Sequence, residues 1–398
     1  MRLSILSNVN LDMLSGLLKK ENEVFQTDGY GEWITYALKK DERLAAFAPE
    51  FYFKKALSWS ATTMGGSSFR ITNNKTSSTA APSLYFKNDD DLYVSLALLN
   101  SCISQVYMDL LNPTVGLKLA NVEAVPAIKF EKMAVLLRSL CENNIALSKE
   151  DWDSYEISWD FEQHPLVKRK ELHSLEKCYL EWKTECENRF LKMKDNEEHI
   201  NAVILKEYGL ENEVACEVSE KSISVHRIFD TKEDIPVSMD GSYYVRTKRD
   251  EIVSLISYSV GCMFGRYSLD KNGIVNAGDS LNANEYVSFS VDKDNIIPIC
   301  DDEYFKDDIV GRFVEFIKIV YGVDSLDDNL KFIANALGGK GSPREIIRNY
   351  FVNDFYKEHC VTYSGTVGKR PIYWLFDAGK NNSFKALIYM HRYQPDTI

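Results

Sequence analysis

The chemistry with the clearest signal in the sequence is contact with a polyanion, between residues 51 and 88. This stretch contains no Asp or Glu, and Ser and Thr lie densely between its basic residues. Basic side chains neutralise phosphates and release their counterions, while hydroxyl and amide groups donate to phosphate oxygens or base edges. The candidate contacts are Lys54, Lys55, Trp59, Ser60, Thr62, Thr63, Arg70 and Lys75. A flexible polar loop without a ligand would have the same composition.

The charge of the whole chain restricts this interpretation to a local surface. The formal net charge is −12 over 398 residues, which argues against indiscriminate binding of nucleic acid by the entire surface. The acid-free stretch ends abruptly at Asp89-Asp90-Asp91. We therefore predict a local phosphate-facing surface within an acidic protein.

Two glycine-containing segments are similar to cofactor loops but lack the required pattern. Residues 28–31, Asp-Gly-Tyr-Gly, lack the full glycine spacing of a dinucleotide loop and follow only two apolar residues. Residues 338–342, Gly-Gly-Lys-Gly-Ser, lack the spacing of a P-loop and follow a helical pattern rather than a strand. We interpret the second segment as the end of a helix.

The segment 112–115, Asn-Pro-Thr-Val, is similar to the Asn-Pro-Pro-aromatic motif of amino-methyltransferases that act on DNA. That chemistry requires acceptors for the target amino group and an aromatic ring that stacks on the flipped base. Thr114 replaces the second proline here, and Val115 replaces the aromatic residue, so the stacking surface is missing. We therefore predict no methyl-transfer site in this segment.

Cysteine spacing and hydropathy indicate a protein of the reducing cytoplasm without a metal site. The eight cysteines form no Cys-x-x-Cys pair, and the six histidines do not cluster with them, so the spacing of a zinc site is absent. The N-terminal residues show no secretory signal pattern. The most apolar long run, residues 93–111, contains Asn100, Gln105 and Asp109 and predicts a buried helix rather than a membrane span.

The sequence predicts a mixed α+β fold in three parts, and the elements of this fold would position the residues above. Residues 1–150 combine short apolar runs with turns in an α/β pattern, and residues 151–210 form an aromatic, acidic connector followed by a long helix. Residues 211–398 are mostly helical with a few strands. The long helix has about 40 residues and would span about 60 Å. We interpret it as a spacer or half of a helical pair, with a coiled-coil dimer as the alternative.

The stretch ISYSVGCMFGRYSLD, residues 256–270, is too short and too polar to cross a membrane. It also has too few glycines for a phosphate loop. We interpret it as a helix in which Gly261 and Gly265 permit close packing, and we expect Arg266 and Asp270 to form an ion pair at its end.

Several long strings resemble a known family. They include LNPTVGLKLANVEAVP, DWDSYEISWDFEQHPL, ISYSVGCMFGRYSLD and KRPIYWLFDAGK, and they occur in order between about residues 50 and 398. They resemble the C-terminal half of PglX, the large adenine-specific DNA methyltransferase of BREX phage-defence systems. Residues 51–70 and 98–116 also resemble the target-recognition domains of fused restriction-modification methyltransferases.

This resemblance implies that residues 1–150 form a target-recognition-like domain, 151–210 a connector and spacer helix, and 211–398 a PglX-like C-terminal domain. It implies a non-catalytic DNA-recognition portion of an N6-adenine methyltransferase, whose S-adenosylmethionine would bind a separate or missing domain. The implied partners are double-stranded DNA, a methyltransferase domain or full-length PglX-like chain, and other BREX subunits, without a membrane. The alternatives are an active methyltransferase with degenerate motifs and a protein-interaction scaffold.

Overall fold

The computed structural model describes residues 51–398, apart from 52, 64, 65, 76, 77, 113, 128, 129, 131, 279, 280, 365–370, 380–383, 396 and 398. The described elements confirm the mixed α+β class: helices predominate, and the strands form small separate sheets. Contacts group the chain into an N-terminal unit, up to Ala146 together with Lys192–Ser219, and a C-terminal unit, Leu147–Leu191 together with Glu220–Ile398. No helix in the described part combines the length and hydropathy that a bilayer crossing needs.

The N-terminal unit is built on a three-stranded antiparallel sheet in the order β2-β1-β3. The strands are β1 (Ala56–Trp59), β2 (Phe69–Thr72) and β3 (Ser83–Leu84). The helices are α1 (Asp89–Asn100), α2 (Cys102–Leu111), α3 (Leu119–Glu123) and the first part of α4 (Ala134–Trp152). Apolar residues of α1 pack against one sheet face, so the core fixes which face of the strands points outward.

The apolar run predicted as one helix is two helices, because Ser101 interrupts it. Ser101 has extended backbone angles, φ −71° and ψ 159°. Its hydroxyl accepts the N–H of Ser104 and donates to the Leu98 carbonyl oxygen at 2.6 Å. A serine side chain that bonds to nearby backbone groups competes with helix continuation and favours a cap. The chain therefore turns between α1 and α2.

The predicted long helix is present as α6 (Leu175–Tyr208), with 34 residues. It ends where the sequence indicates: Gly209 has φ +67°, and the N–H of Leu210 donates to the Leu205 carbonyl oxygen at 2.9 Å. Its apolar stripe is buried from Leu175 to Cys186 in the core of the C-terminal unit and from Ile200 to Leu205 in the core of the N-terminal unit. The cores of this chain therefore cover the apolar stripe of α6. Such burial agrees with half of a helical pair rather than with a coiled-coil face that needs a partner chain.

The C-terminal unit combines helices with two small sheets. A parallel pair joins β4 (Arg227–Phe229) and β5 (Val245–Thr247), and an antiparallel sheet has the order β6-β8-β7. Its strands are β6 (Ile296–Cys300), β7 (Tyr373–Asp377) and β8 (Phe384–Tyr389). The helices are α5 (Pro165–Lys168), α7 (Lys248–Met263), α8 (Ile309–Tyr321), α9 (Leu326–Leu337), α10 (Pro343–Asn353) and α11 (Phe355–Ser364).

Helix α7 is central to this unit because most of its residues are buried. Thr247 begins the helix with a capping box, accepting the N–H of Asp250 while the Asp250 carboxylate accepts the N–H of Thr247 at 2.7 Å. Further along, Glu251 is fully buried and accepts hydrogen bonds from Trp182 at 2.9 Å and Arg246 at 2.5 Å. A buried carboxylate needs such partners, so this cluster fixes α7 to α6 and β5.

Both glycines near the end of α7 permit close packing, although only Gly261 lies within the helix: a Cβ at Gly265 would lie 3.1 Å from side-chain atoms of Leu281 and Val291. A Cβ at Gly261 would lie 2.5 Å from the Tyr267 ring, so close packing requires glycine there. Gly265 lies beyond the helix end, in the left-handed region at φ +78°. The expected Arg266–Asp270 ion pair is wrong. Arg266 donates to the hydroxyl of Tyr267, at 3.2 Å, whereas Asp270 accepts from Ser288.

Candidate nucleic-acid interface

The basic candidates Lys54, Lys55, Arg70 and Lys75 lie along one β-hairpin, whereas Lys87, the fifth basic residue of the acid-free stretch, lies outside it. In the antiparallel register, Ser58 faces Arg70 and Ala56 faces Thr72. The N–H of Phe53 donates to the carbonyl oxygen of Lys75 at 3.1 Å, which continues the same register beyond the strands. The fold therefore brings Lys75 beside the segment that contains Lys54, although the two are 21 positions apart in the sequence.

Strand alternation determines which of these side chains reach solvent. Phe69 is buried and Ile71 packs against the same core, so Arg70 between them points to the opposite face. Arg70 is exposed, as are Lys54 and Lys75 at the hairpin end. Within the described part of the chain, neither Arg70 nor Lys75 makes an ion pair with a carboxylate. Their charges face solvent, where a phosphate could approach.

Lys55 has a different environment from its neighbour Lys54. Its ammonium group is 2.8 Å from a carboxylate oxygen of Asp89 and 4.8 Å from the centre of the Tyr93 ring. Burial opposes the charge, but the Asp89 hydrogen bond and the field of Tyr93 outweigh it and raise the pKa of Lys55. Lys55 therefore joins β1 to the start of α1, and its charge is offset within the protein.

The aromatic and hydroxyl candidates differ in how deeply their side chains are buried. Trp59 is 0% exposed, and its indole N–H donates to the Leu117 carbonyl oxygen at 3.1 Å, so it supports the sheet from inside. Ser60 and Thr62 are exposed just after β1. Thr63 is half-buried, and its N–H donates to the Val115 carbonyl oxygen at 3.0 Å. Exposed hydroxyls thus adjoin the hairpin, whereas the Trp59 ring is not available to a ligand in this conformation.

The Asn-Pro-Thr segment after α2 uses its polar groups within its own turn. The Asn112 amide donates to the carbonyl oxygens of Thr114, at 3.1 Å, and Gly116, at 2.9 Å. The Thr114 hydroxyl donates to the Asn112 side-chain oxygen at 2.8 Å. These bonds occupy the atoms that would have to hold a target amino group, and they shape the loop beside Thr62 and Thr63.

A group of three acidic residues in the C-terminal unit comes close enough to be considered for metal binding. One carboxylate oxygen from each of Asp292, Asp294 and Asp307 lies within 4.8 Å of the others. Burial and the neighbouring Asp294 raise the pKa of Asp292 to about 6. The carboxylates of Asp292 and Asp294 both accept the N–H of Ile296, at 3.2 and 2.9 Å. The turn before β6 therefore explains why these two carboxylates lie close together.

Comparison with known proteins adds the evolutionary relationship. The chain is 38% identical over 387 residues to the adenine-specific methyltransferase PglX of Lacticaseibacillus casei (strain Zhang), across 94% of this chain and 30% of that protein. It is 32% identical over 366 residues to the adenine-specific methyltransferase BrxX of Escherichia coli O9:H4 (strain HS), across 88% of this chain and 29% of that protein. No family model matches the chain.

These two comparisons identify the chain as a relative of adenine-specific methyltransferases. It is similar over most of its length to a portion of PglX and BrxX, and the resemblance seen in its sequence is confirmed. The chain spans about 30% of the length of these relatives.

Proposed function

We propose that this chain is the DNA-recognition portion of a BREX-type, adenine-specific N6 DNA methyltransferase that acts in phage defence. In this proposal, residues 51–88 contact double-stranded DNA, and methyl transfer with S-adenosylmethionine takes place on another domain or chain. The exposed hairpin of Lys54, Arg70 and Lys75, in a stretch without acidic residues, carries the proposal. The two relatives are named as adenine-specific methyltransferases, which supports a target that contains adenine.

Within the hairpin, we assign different roles to the candidate residues. Lys54, Arg70 and Lys75 contact phosphates or bases, and Ser60 and Thr62 donate hydrogen bonds beside them. Lys55 and Trp59 act indirectly: the first links β1 to α1, and the second fills the core beneath the sheet. The rigid sheet then holds the contacting side chains at fixed spacing, which sequence-specific recognition requires.

We further propose that the C-terminal unit docks on the methyltransferase region of a PglX-like chain or on other BREX subunits. Its edge strand β7 supports this role, because Trp374 and Phe376 are 45% and 51% exposed on the same strand face. The Phe376, Phe384 and Phe305 rings continue the surface, with centroid separations of 6.2 and 6.0 Å. An exposed aromatic surface on an edge strand is typical of a protein-binding site.

Fluorescence anisotropy with a labelled duplex tests the proposed function directly. We expect the purified chain to bind double-stranded DNA at low salt and to lose affinity steeply as salt rises, because phosphate contacts release counterions. If no binding occurs even at low salt, the interaction scaffold is the better explanation. Calorimetry with S-adenosylmethionine tests the remaining alternative, since an active methyltransferase with degenerate motifs must bind this cofactor.

A further inference from the structure

The antiparallel sheet of the C-terminal unit, in the order β6-β8-β7, has apolar residues on both faces. Side chains alternate between faces along a strand, and residues that pair across strands share a face. Ile297, Leu387 and Tyr373 belong to the core of the unit, so they mark the inner face. The even-numbered residues within 296–300, 374–376 and 384–388 form the opposite face, and all of them are apolar. We call this opposite face the outer sheet face.

The outer sheet face is only partly covered. An antiparallel sheet commonly packs one face on the core and presents a polar face to water, but this second face is not polar. Ala386 and Ile388 on the central strand are buried, whereas Trp374 is 45% exposed and Phe376 is 51% exposed. The ring of Phe384 joins this surface to Phe305, with ring centroids 6.0 Å apart. Covering such exposed rings with a partner is favourable, because apolar area is removed from water.

The segment that borders the outer sheet face is acidic. Residues 301–307, Asp-Asp-Glu-Tyr-Phe-Lys-Asp, follow β6 directly and contain four carboxylates and one lysine. Phe305 belongs to this segment, so its contact with Phe384 places the segment beside the face. The side chains of residues 301–303 are exposed. The Arg344 guanidinium lies 4.0 Å from a carboxylate oxygen of Glu303, and both groups are exposed, so this pair offsets little of the charge. Negative charge therefore borders the exposed rings.

This negative charge selects among the possible occupants of the face. The exposed carboxylates repel the phosphates of nucleic acids and of anionic lipid head groups. A second copy of this chain in a two-fold arrangement would place the acidic segment against itself, which like-charge repulsion disfavours. A polypeptide segment with basic residues complements both features, because its cations pair with the carboxylates and its apolar side chains cover the rings. A lysine or arginine can also stack on the ring of a tryptophan such as Trp374.

We propose that the outer sheet face binds a segment of another protein in which lysine or arginine residues flank apolar residues. The apolar side chains of this segment pack on Trp374 and Phe376, and its basic side chains pair with Asp301 and Asp302. This binding mode rests on the docking role proposed for the C-terminal unit, and it specifies the chemistry of the partner. It does not depend on DNA contact by the hairpin, which belongs to the N-terminal unit.

Fluorescence anisotropy with a short labelled peptide of alternating lysine and leucine tests the proposal on the full chain. Two further peptides serve as controls: one has glutamate in place of lysine, and the other has serine in place of leucine.

Two variants remove the two features of the face. Phe376→Ser removes an exposed ring, and its matched control is Tyr243→Ser, because Tyr243 is 95% exposed in the same unit. The double variant Asp301→Asn, Asp302→Asn removes charge beside the face. Its matched control is Glu176→Gln, Glu181→Gln, which removes equal charge from exposed positions of α6 in the same unit. Thermal unfolding followed by circular dichroism verifies that each variant folds, and the double Asp variant decides if Phe376→Ser does not.

We expect the lysine-leucine peptide to bind saturably and more tightly than either control peptide. Phe376→Ser should weaken its affinity about tenfold, as the loss of an aromatic anchor does at an interface. The double Asp variant should bind more weakly than the natural chain at low salt, and high salt should remove this difference because it screens the carboxylates. Both control variants should keep the natural affinity.

The proposal is overturned if the peptide binds the natural chain, Phe376→Ser and the double Asp variant equally well. Tighter binding of the glutamate peptide that depends on Phe376 would also overturn it, but would leave the docking role of the C-terminal unit in place. Duplex DNA affinity should be the same in Phe376→Ser and the natural chain, and a loss would assign this face to nucleic acid instead.

Discussion

At the scale of single residues, Gly261 occupies the tightest contact near the end of α7. A Cβ built there lies 2.5 and 2.9 Å from two ring carbons of Tyr267, whose side chain is 1% exposed. Tyr267 cannot move outward, because it stacks on Tyr258 with ring centroids 5.1 Å apart. The glycine therefore allows the chain to fold back directly after the helix.

Gly261→Ala should destabilise the protein by about 1–3 kcal/mol, as expected for overpacking in a core. Urea unfolding followed by fluorescence measures the change. Gly311→Ala is the control within the same unit: its Cβ would meet only a Glu303 side-chain oxygen at 3.4 Å, and alanine favours a helix. Equal stability of Gly261→Ala and the natural protein would contradict the packing described here.

Glu156 gives the stability of the C-terminal unit a dependence on pH. Burial raises its folded-state pKa to about 7, above the usual value of 4.5, so the folded state binds this proton more tightly than the unfolded state does. The stability that this proton contributes is present below about pH 4.5 and is lost as the pH rises to about 7. Glu156→Gln should therefore gain up to about 3 kcal/mol relative to the natural protein between pH 4.5 and 8. Denaturation series at several pH values measure this difference; a constant difference would contradict the assignment.

The sequence could suggest the residue types of the interface but not their environments. Lys54 and Lys55 are adjacent and chemically identical, yet one is exposed and the other pairs with Asp89. The proximity of Glu156 to the hydroxyl of Tyr363 could not be predicted from the sequence, because about 200 residues separate the two. Only the tertiary fold brings such groups together.

At the scale of elements, capping residues mark the start of α10 in the sequence. Ser342 followed by Pro343 is a sequence pattern typical of a helix N-terminus, and α10 begins there with a capping box to Glu345. Strands β7 and β8 lie in two apolar runs, residues 370–379 and 384–393, whose sequence is compatible with two strands or with a strand and a helix. The pairing of β6 with β8 could not be predicted, because its partners, such as Ile296 and Ile388, are far apart in sequence and strand register depends on tertiary packing.

Ser342→Ala should cost about 0.5–2 kcal/mol, because the Glu345 N–H loses its capping hydroxyl. Glu345→Gln serves as the matched variant, since its side-chain amide still offers an oxygen to the Ser342 N–H. We expect a smaller loss for this variant in the same unfolding assay. A Ser342→Ala variant that unfolds at the natural denaturant midpoint would exclude a stabilising cap.

At the scale of the whole molecule, charge distribution matters more than net charge. The chain carries a net charge of −12, so most of its surface repels DNA, and attraction must come from a local group of cations. The proposed hairpin supplies such a group with Lys54, Arg70 and Lys75. The division into recognition, connector and C-terminal parts stays a prediction, and it assigns DNA contact to the first part alone.

The salt dependence of duplex DNA binding tests the central claim most directly. We compare the natural chain with a Lys54→Ala, Arg70→Ala, Lys75→Ala triple variant and with a control triple variant, Lys132→Ala, Lys192→Ala, Lys206→Ala, which removes equal charge from exposed positions of the N-terminal unit. If all three hairpin residues contact phosphates, the slope of log affinity against log salt falls in magnitude by about 0.9 per contact, or about 2.7. The control should keep the natural slope. Identical slopes and affinities for the hairpin variant and the natural chain would contradict DNA recognition by this hairpin.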